Sequence, residues 1–161
     1  MSQRAYVALG SNLQDPRQQV LRALEELNGL PGTRVVAQSS LYLTTPLGYD
    51  DQPDFINAVA AVDTTLGAPA LMRALLALET AHGRERPFPN APRVLDLDLL
   101  LYDALQLDTP ELTLPHPRLH ERGFVLLPLA EIAPQLVIPG RGTVAELARQ
   151  LPDQGVQRLS A

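Results

Sequence analysis

A chain of 161 residues, 45% hydrophobic and with a formal charge of −5, is long enough for one well-packed core and short for two ordinary domains. It has no cysteine and no lysine, all thirteen basic residues being arginine, which excludes disulfides, thiolate nucleophiles, Cys-ligated metals, Schiff-base chemistry and a lysine-bearing P-loop. The acidic balance argues against a broad nucleic-acid surface, and with no apolar run of about 18 residues and no apolar leader after Met1, the expectation is a soluble, cytoplasmic protein without a membrane segment.

In chain order, Ala5 to Leu9 reads as a buried strand stopped by the turn cluster Gly10-Ser11-Asn12. Asp15-Pro16 suits an N-cap and first helical residue, and Val20, Leu21, Leu24 and Leu27 recur at helical spacing until Asn28-Gly29. Thr33 to Leu43 has no helical stripe and runs into a loop at Thr44-Thr45-Pro46-Leu47-Gly48; Phe55 to Val62 is a second β-rich run. Pro69 opens a helix carrying Leu71, Met72, Leu75, Leu76 and Leu78, expected to end near Gly83. Arg84 to Arg93 contains three prolines in ten residues and reads as a loop. Leu95 to Tyr102 then alternates, with Leu95, Leu97, Leu99 and Leu101 predicted on one face and Asp96, Asp98, Leu100 and Tyr102 on the other.

Strand, helix, strand, strand, helix, strand is the split βαβ order of a ferredoxin-like antiparallel sheet, so the expected class is α+β in a single domain over 1–161. Two further helices are predicted in the C-terminal part. One runs from about Gly123 to Ile132, and the other opens with a capping box, Thr143 to Glu146.

The chemistry concentrates on Asp96-Leu97-Asp98. Alternation points both carboxylates one way, about 7 Å apart, where their repulsion calls for a cation. Hard oxygen donors with only three histidines and no cysteine in the chain favour magnesium, and a magnesium ion with few protein ligands implies bound phosphate. Arg84, Arg86 and Arg93 flank the pair and suit phosphate oxygens. Phe55 and Asn57, two apart on one strand, offer a ring to stack on and a carboxamide to read the edge of a flat heterocycle. In Pro115-His116-Pro117-Arg118-Leu119-His120-Glu121-Arg122, His116 and Arg122 are candidates to contact phosphate, while Glu79 reads from sequence alone as a solvated helical residue.

Taken together, Tyr6 to Leu13, Thr44 to Gly48 continuing through Asp51 to Ala58, Gly83-Arg84 with Pro92 to Asp98, and Pro115-His116-Pro117 with Arg122-Gly123-Phe124 resemble the 6-hydroxymethyl-7,8-dihydropterin pyrophosphokinases. The resemblance covers nearly the whole chain. It implies a ferredoxin-like core with extra helices and transfer of pyrophosphate from ATP to the pterin alcohol, giving AMP and the diphosphate used in folate synthesis. Asp96 and Asp98 would hold two magnesium ions bound with ATP, Asp96 also orienting the alcohol. Arg84 and Arg93 would assist transfer, and Glu79, Arg86, Leu99, Thr113, His116 and Arg122 would join them around ATP. Thr44, Thr45, Pro46, Leu47, Phe55, Asn57 and Phe124 would form the pterin pocket. A monomer without nucleic-acid or membrane partners is implied. The chain departs from the Arg-Trp-Gly-Pro-Arg run of many relatives, having Asn90-Ala91-Pro92-Arg93 there; only Phe88 stands near the missing tryptophan. The rivals are an RNA platform, disfavoured by 4% aromatic content and acidity, and a regulatory ligand-binding domain, which has no need of two aspartates beside three arginines.

Overall fold

In the computed structural model the described residues are 2–12, 15–44, 54–82, 94–152 and 154–159. Among them, the elements are β1 (Gln3–Ser11), α1 (Pro16–Asn28), β2 (Thr33–Gln38), β3 (Tyr42–Thr44), β4 (Phe55–Thr64), α2 (Ala68–Ala81), β5 (Asp96–Tyr102), β6 (Leu107–Asp108), β7 (Thr113–Leu114), a 3-10 turn at Leu119–Glu121, α3 (Gly123–Ile132), β8 (Val137–Ile138), β9 (Gly142–Thr143), α4 (Val144–Gln150) and β10 (Val156–Arg158). The main sheet is antiparallel in the order β10-β3-β4-β1-β5, with β2 also pairing β4. No described helix is long and apolar enough to cross a membrane.

One layer of packing lies on each face of this sheet. Val7, Leu9, Ala58, Ala60, Leu97 and Leu99 meet Val20, Leu24 and Leu27 of α1 and Leu71 and Leu75 of α2. On the other face Tyr6, Ala8, Val59, Ala61, Leu100 and Leu101 meet Val125, Leu126 and Leu129 of α3, with Val144 of α4. The helical stripes expected from spacing pack, because burial of apolar area is what holds a helix to a sheet, except at Leu21, which is exposed, and Leu76, which stays outside the core cluster. The buried α1 face is Val20, Ala23, Leu24 and Leu27. The two helices of the first face are also tied directly. His82, which ends α2, is buried and meets Gln19 at 2.6 Å and Glu26 of α1 through its two ring nitrogens.

Four expectations need correction. β1 does not stop at Leu9 but carries Gly10 and Ser11 in its ladder, since both pair with β4. The run from Thr33 is two strands rather than one. The break falls at Ser39-Ser40, where Ser39 keeps the ladder satisfied, its N–H donating to Val59 O at 2.9 Å and its Oγ accepting from Val59 N at 3.0 Å. Thr44 belongs to β3, opposite Phe55, rather than to a loop. Finally, strict alternation along β5 fails after Leu99. The pairing with β1 shifts between Tyr6 and Val7, and this β-bulge places Leu100 and Leu101 both on the α3 face and returns Tyr102 to the α2 face, where its hydroxyl donates to Leu66 O at 2.5 Å. The C-terminal helices form where expected, with Thr143 Oγ1 accepting from Glu146 N at 3.3 Å to cap α4. β10, which joins the main sheet beside β3, has no counterpart in the sequence reading.

Candidate active site

Register across the sheet brings the acidic and amide candidates together. Gly10 of β1 pairs Asn57 on one side and Asp96 on the other, and Ala8 pairs Val59 and Asp98. Directly opposed residues of antiparallel strands face the same way, so Asn57, Asp96 and Asp98 share the α3 face. Between Asn57 and Asp96 stands a residue without a side chain. A Cβ at Gly10 would lie 2.7 Å from Asn57 Oδ1, so glycine is required for this close approach. Thr44 and Phe55 oppose each other one pleat further along the same face, and Asn57 Nδ2 donates to Thr44 Oγ1 at 2.8 Å. Asn57 and Thr44 are buried, while Phe55, Asp96 and Asp98 are half-buried.

Several bonds hold the strand that carries the two aspartates. Ser11 Oγ donates to Val94 O just before β5. Glu79, at the end of α2 and only 2% exposed, accepts from Leu97 N at 2.7 Å. It is not the solvated helical residue that sequence alone suggests; its carboxylate grips the main chain between Asp96 and Asp98. Leu99, 2% exposed, points into the α1–α2 layer, so its side chain is a core group and only its main chain is left on the side of the two aspartates. Thr113 lies in β7 opposite Asp108.

After a cis Leu114-Pro115 bond, His116 N donates to Leu100 O at 2.9 Å, docking this segment beside β5. Burial pushes the His116 imidazole down, the Asp98 carboxylate pulls it up, and Arg122 and Arg118 push it down, leaving it below the ordinary 6.5. Its Nδ1 accepts from Arg118 N at 3.2 Å, so the neutral ring carries its proton on Nε2. Arg122 N-caps α3, and its guanidinium carbon is 5.6 Å from the ring centroid of Phe124.

Sequence reasoning missed the bracket that fixes β3. Glu131 of α3 accepts from Ser40 N at 3.0 Å, from Ser40 Oγ at 3.0 Å and from the Tyr42 hydroxyl at 2.8 Å, and lies 3.4 Å from Arg158 of β10. Burial pushes the Glu131 carboxyl up, but these donors and Arg158 outweigh it and hold it below the ordinary 4.5. Burial, together with the Glu131 bond and charge, pushes the Tyr42 phenol up to about 12. Tyr42 pairs Asn57 across β3 and β4, so the bracket fixes the strand that supports the amide. Nothing in the local sequence around Glu131 signals a partner some ninety residues earlier.

Thr45, Pro46, Leu47, Arg84, Arg86, Phe88 and Arg93 lie outside the described residues. Among the described residues no group of three or more His, Asp or Glu gathers to hold a metal. Two half-buried carboxylates on one face form a donor set suited to a hard cation that completes its shell with water and phosphate oxygens, which is the habit of magnesium.

The chain matches the family model 7,8-dihydro-6-hydroxymethylpterin-pyrophosphokinase over residues 6–134. It is 49% identical over 159 residues to the 2-amino-4-hydroxy-6-hydroxymethyldihydropteridine pyrophosphokinase of Pseudomonas aeruginosa, covering 99% of this chain and 98% of that one. The protein of the same name from Methylorubrum extorquens is 46% identical over 156 residues, with 97% and 98% covered. Among solved structures, the Plasmodium falciparum HPPK-DHPS with pteroate superposes with a TM-score of 0.73 at 14% identity, over 93% of this chain and 42% of that one; that likeness concerns the fold.

Proposed function

The chain belongs to the 7,8-dihydro-6-hydroxymethylpterin-pyrophosphokinase family, and we propose that the sheet face bearing Asn57, Asp96 and Asp98 is where it works. It is an ATP-dependent pyrophosphokinase of folate synthesis, acting on hydroxymethyldihydropterin. One observation carries the siting: Asn57, Gly10 and Asp96 occupy one row of three strands, so a ring-edge reader and a carboxylate face the same space across a residue that fills none of it.

On this reading the pterin lies against Thr44, Phe55, Asn57 and Phe124, with Thr45, Pro46 and Leu47 completing the pocket. The hydroxymethyl oxygen bonds to the β-phosphorus and gives up its proton to solvent, the bond from that phosphorus to the oxygen bridging to the α-phosphorus breaks, and AMP leaves with that oxygen. Asp96 accepts the alcohol's hydrogen bond and aims the oxygen in line. Neutral His116 donates from Nε2 to a phosphate oxygen, Arg122 pairs with another, and Arg84, Arg86 and Arg93 close on the triphosphate. Asp96 and Asp98 would hold two magnesium ions bound with ATP, which would supply charge neutralisation at the phosphates. Glu79 acts through the main chain of Leu97, as does Leu99 through its own, and Thr113 lies on the strand leading to His116. The strand order β5-β1-β4-β3 with helices in the connections supports the ferredoxin-like assignment. A single pyrophosphokinase domain acting as a cytoplasmic monomer completes the reading.

Given ATP, magnesium and 6-hydroxymethyl-7,8-dihydropterin, the purified protein is expected to release AMP; steady release of ADP would overturn the reading. Asp98→Ala should lower kcat by about a thousandfold with an unchanged circular dichroism spectrum, and near-normal turnover would remove the carboxylate from the chemistry.

A further inference from the structure

We propose that Gln154, in the C-terminal segment leading into β10, is a positioning residue for Arg122 and Phe124. The inference rests on the siting of ATP and pterin given above. The Gln154 carboxamide straddles Arg122. Its Oε1 accepts from Gly123 N at 2.9 Å and its Nε2 donates to Glu121 O at 3.1 Å. One planar group therefore holds the main chain on both sides of the arginine, as a neighbouring strand would, and it holds Arg122 in the extended conformation (φ −109°, ψ 108°) from which α3 starts.

That contact answers a local deficit. The first N–H groups of a helix have no partner within it, and the Arg122 side chain supplies no capping bond. A guanidinium has donors only and cannot accept from the Gly123 N–H; it lies over the Phe124 ring, and the N–H is satisfied from outside. Gly123 also admits the clamp sterically, since a Cβ there would lie 3.2 Å from Gln154 Oε1 and 3.6 Å from Val156 Cγ2. Two residues on, Val156 pairs Thr44 across β10 and β3. A short stretch of chain thus ties the helix start bearing Arg122 and Phe124 to the strand bearing Thr44. The two walls on which nucleotide and pterin are placed are spaced by this segment.

Loss of the clamp should loosen the approach of Arg122 and Phe124 to both substrates without touching the reacting atoms. Gln154→Met keeps the length and removes both bonds; Gln154→Glu keeps the acceptor for Gly123 N. We expect Gln154→Met to raise KM for ATP and for the pterin about fivefold with kcat within about twofold, and Gln154→Glu, which keeps the bond from Gly123 N but sets a carboxylate oxygen against Glu121 O, to fall between the wild type and Gln154→Met. In an Arg122→Ala, Phe124→Ala background, Gln154→Met should add almost nothing, because the residues it acts through are gone. Amide exchange at Gly123 and the following turn should speed up in Gln154→Met, a readout independent of substrate. Unaltered KM values or unaltered exchange in Gln154→Met would overturn the proposal, as would fully additive effects in the triple variant or activity lost only in step with unfolding. Should Arg122→Ala, Phe124→Ala itself bind both substrates normally, the siting of ATP and pterin falls and the proposal falls with it. Impaired binding there beside a normal Gln154→Met overturns the proposal alone.

Discussion

At Gly10 the missing side chain is part of the site. The added carbon of Gly10→Ala would lie 2.7 Å from Asn57 Oδ1, and the group best able to yield is the Asn57 carboxamide, by turning away from Thr44 Oγ1. Backbone pairing of β1 with β4 and β5 need not move. Steady-state kinetics should therefore show KM for the pterin raised about tenfold and that for ATP within about twofold; equal effects on both would place the damage in strand register instead. A second residue-scale expectation concerns Tyr42, pushed up to about 12 by burial and by Glu131. In Glu131→Gln the acceptor remains and the charge goes, so ultraviolet phenolate titration should find this tyrosine ionising closer to the ordinary 10.0. An unshifted titration would make burial alone the cause.

Among the elements, β5 shows how the two aspartates are held. Its edge toward α2 is gripped at Leu97 N by Glu79, a single acceptor placed between Asp96 and Asp98. Glu79→Ala leaves a buried N–H unmet, at a cost of about 1–3 kcal/mol, and the strand segment that spaces the carboxylates loses its fixed position. The apparent affinity for magnesium, read from activity against metal concentration, should fall about tenfold in Glu79→Ala and little in Glu79→Gln, which retains an oxygen to accept the bond. Loss in both would show that the charge matters rather than the acceptor. The same strand marks what sequence makes legible. Leu95, Leu97 and Leu99 against Asp96 and Asp98 is a period-two signal carried by side-chain chemistry alone, and it gives the shared face correctly. The reversal at Leu100 and Leu101 depends on how Tyr6 and Val7 pair from a strand far earlier in the chain, which no local window contains. α1, α2 and α3 are legible for the matching reason, their apolar stripes being local. Val156–Arg158 is too short and too polar to signal a strand; it becomes one because β3 presents a free edge. The bond of Glu79 to Leu97 N and those of Gln154 escape because each is made to main-chain groups of another element, and main-chain partners leave no trace in residue type.

For the molecule as a whole, one sheet is shared by two apolar layers, so loosening either face weakens the other. The titrating groups that couple to this packing set a pH window. His116 sits below 6.5 in the folded protein, so between its two values the unfolded chain binds more protons than the folded one and stability falls as pH drops below 6.5. Glu131 sits below 4.5, and the stability it lends above that value is lost as pH falls further. On the alkaline side Tyr42 is raised to about 12; its contribution is complete below pH 10 and disappears as pH climbs from there. Urea midpoints of the protein in chelator, without nucleotide, should therefore be level from about pH 7 to 9, with an acid decline that begins below 6.5 and steepens below 4.5. His116→Gln should remove the first part of that decline and leave the second, because Glu131 is bound to β3 and β10 rather than to the segment that carries His116. If the full acid decline survives in His116→Gln, the imidazole beside Asp98 is not coupled to folding, and its place against β5 must depend on the His116 main-chain bond to Leu100 alone.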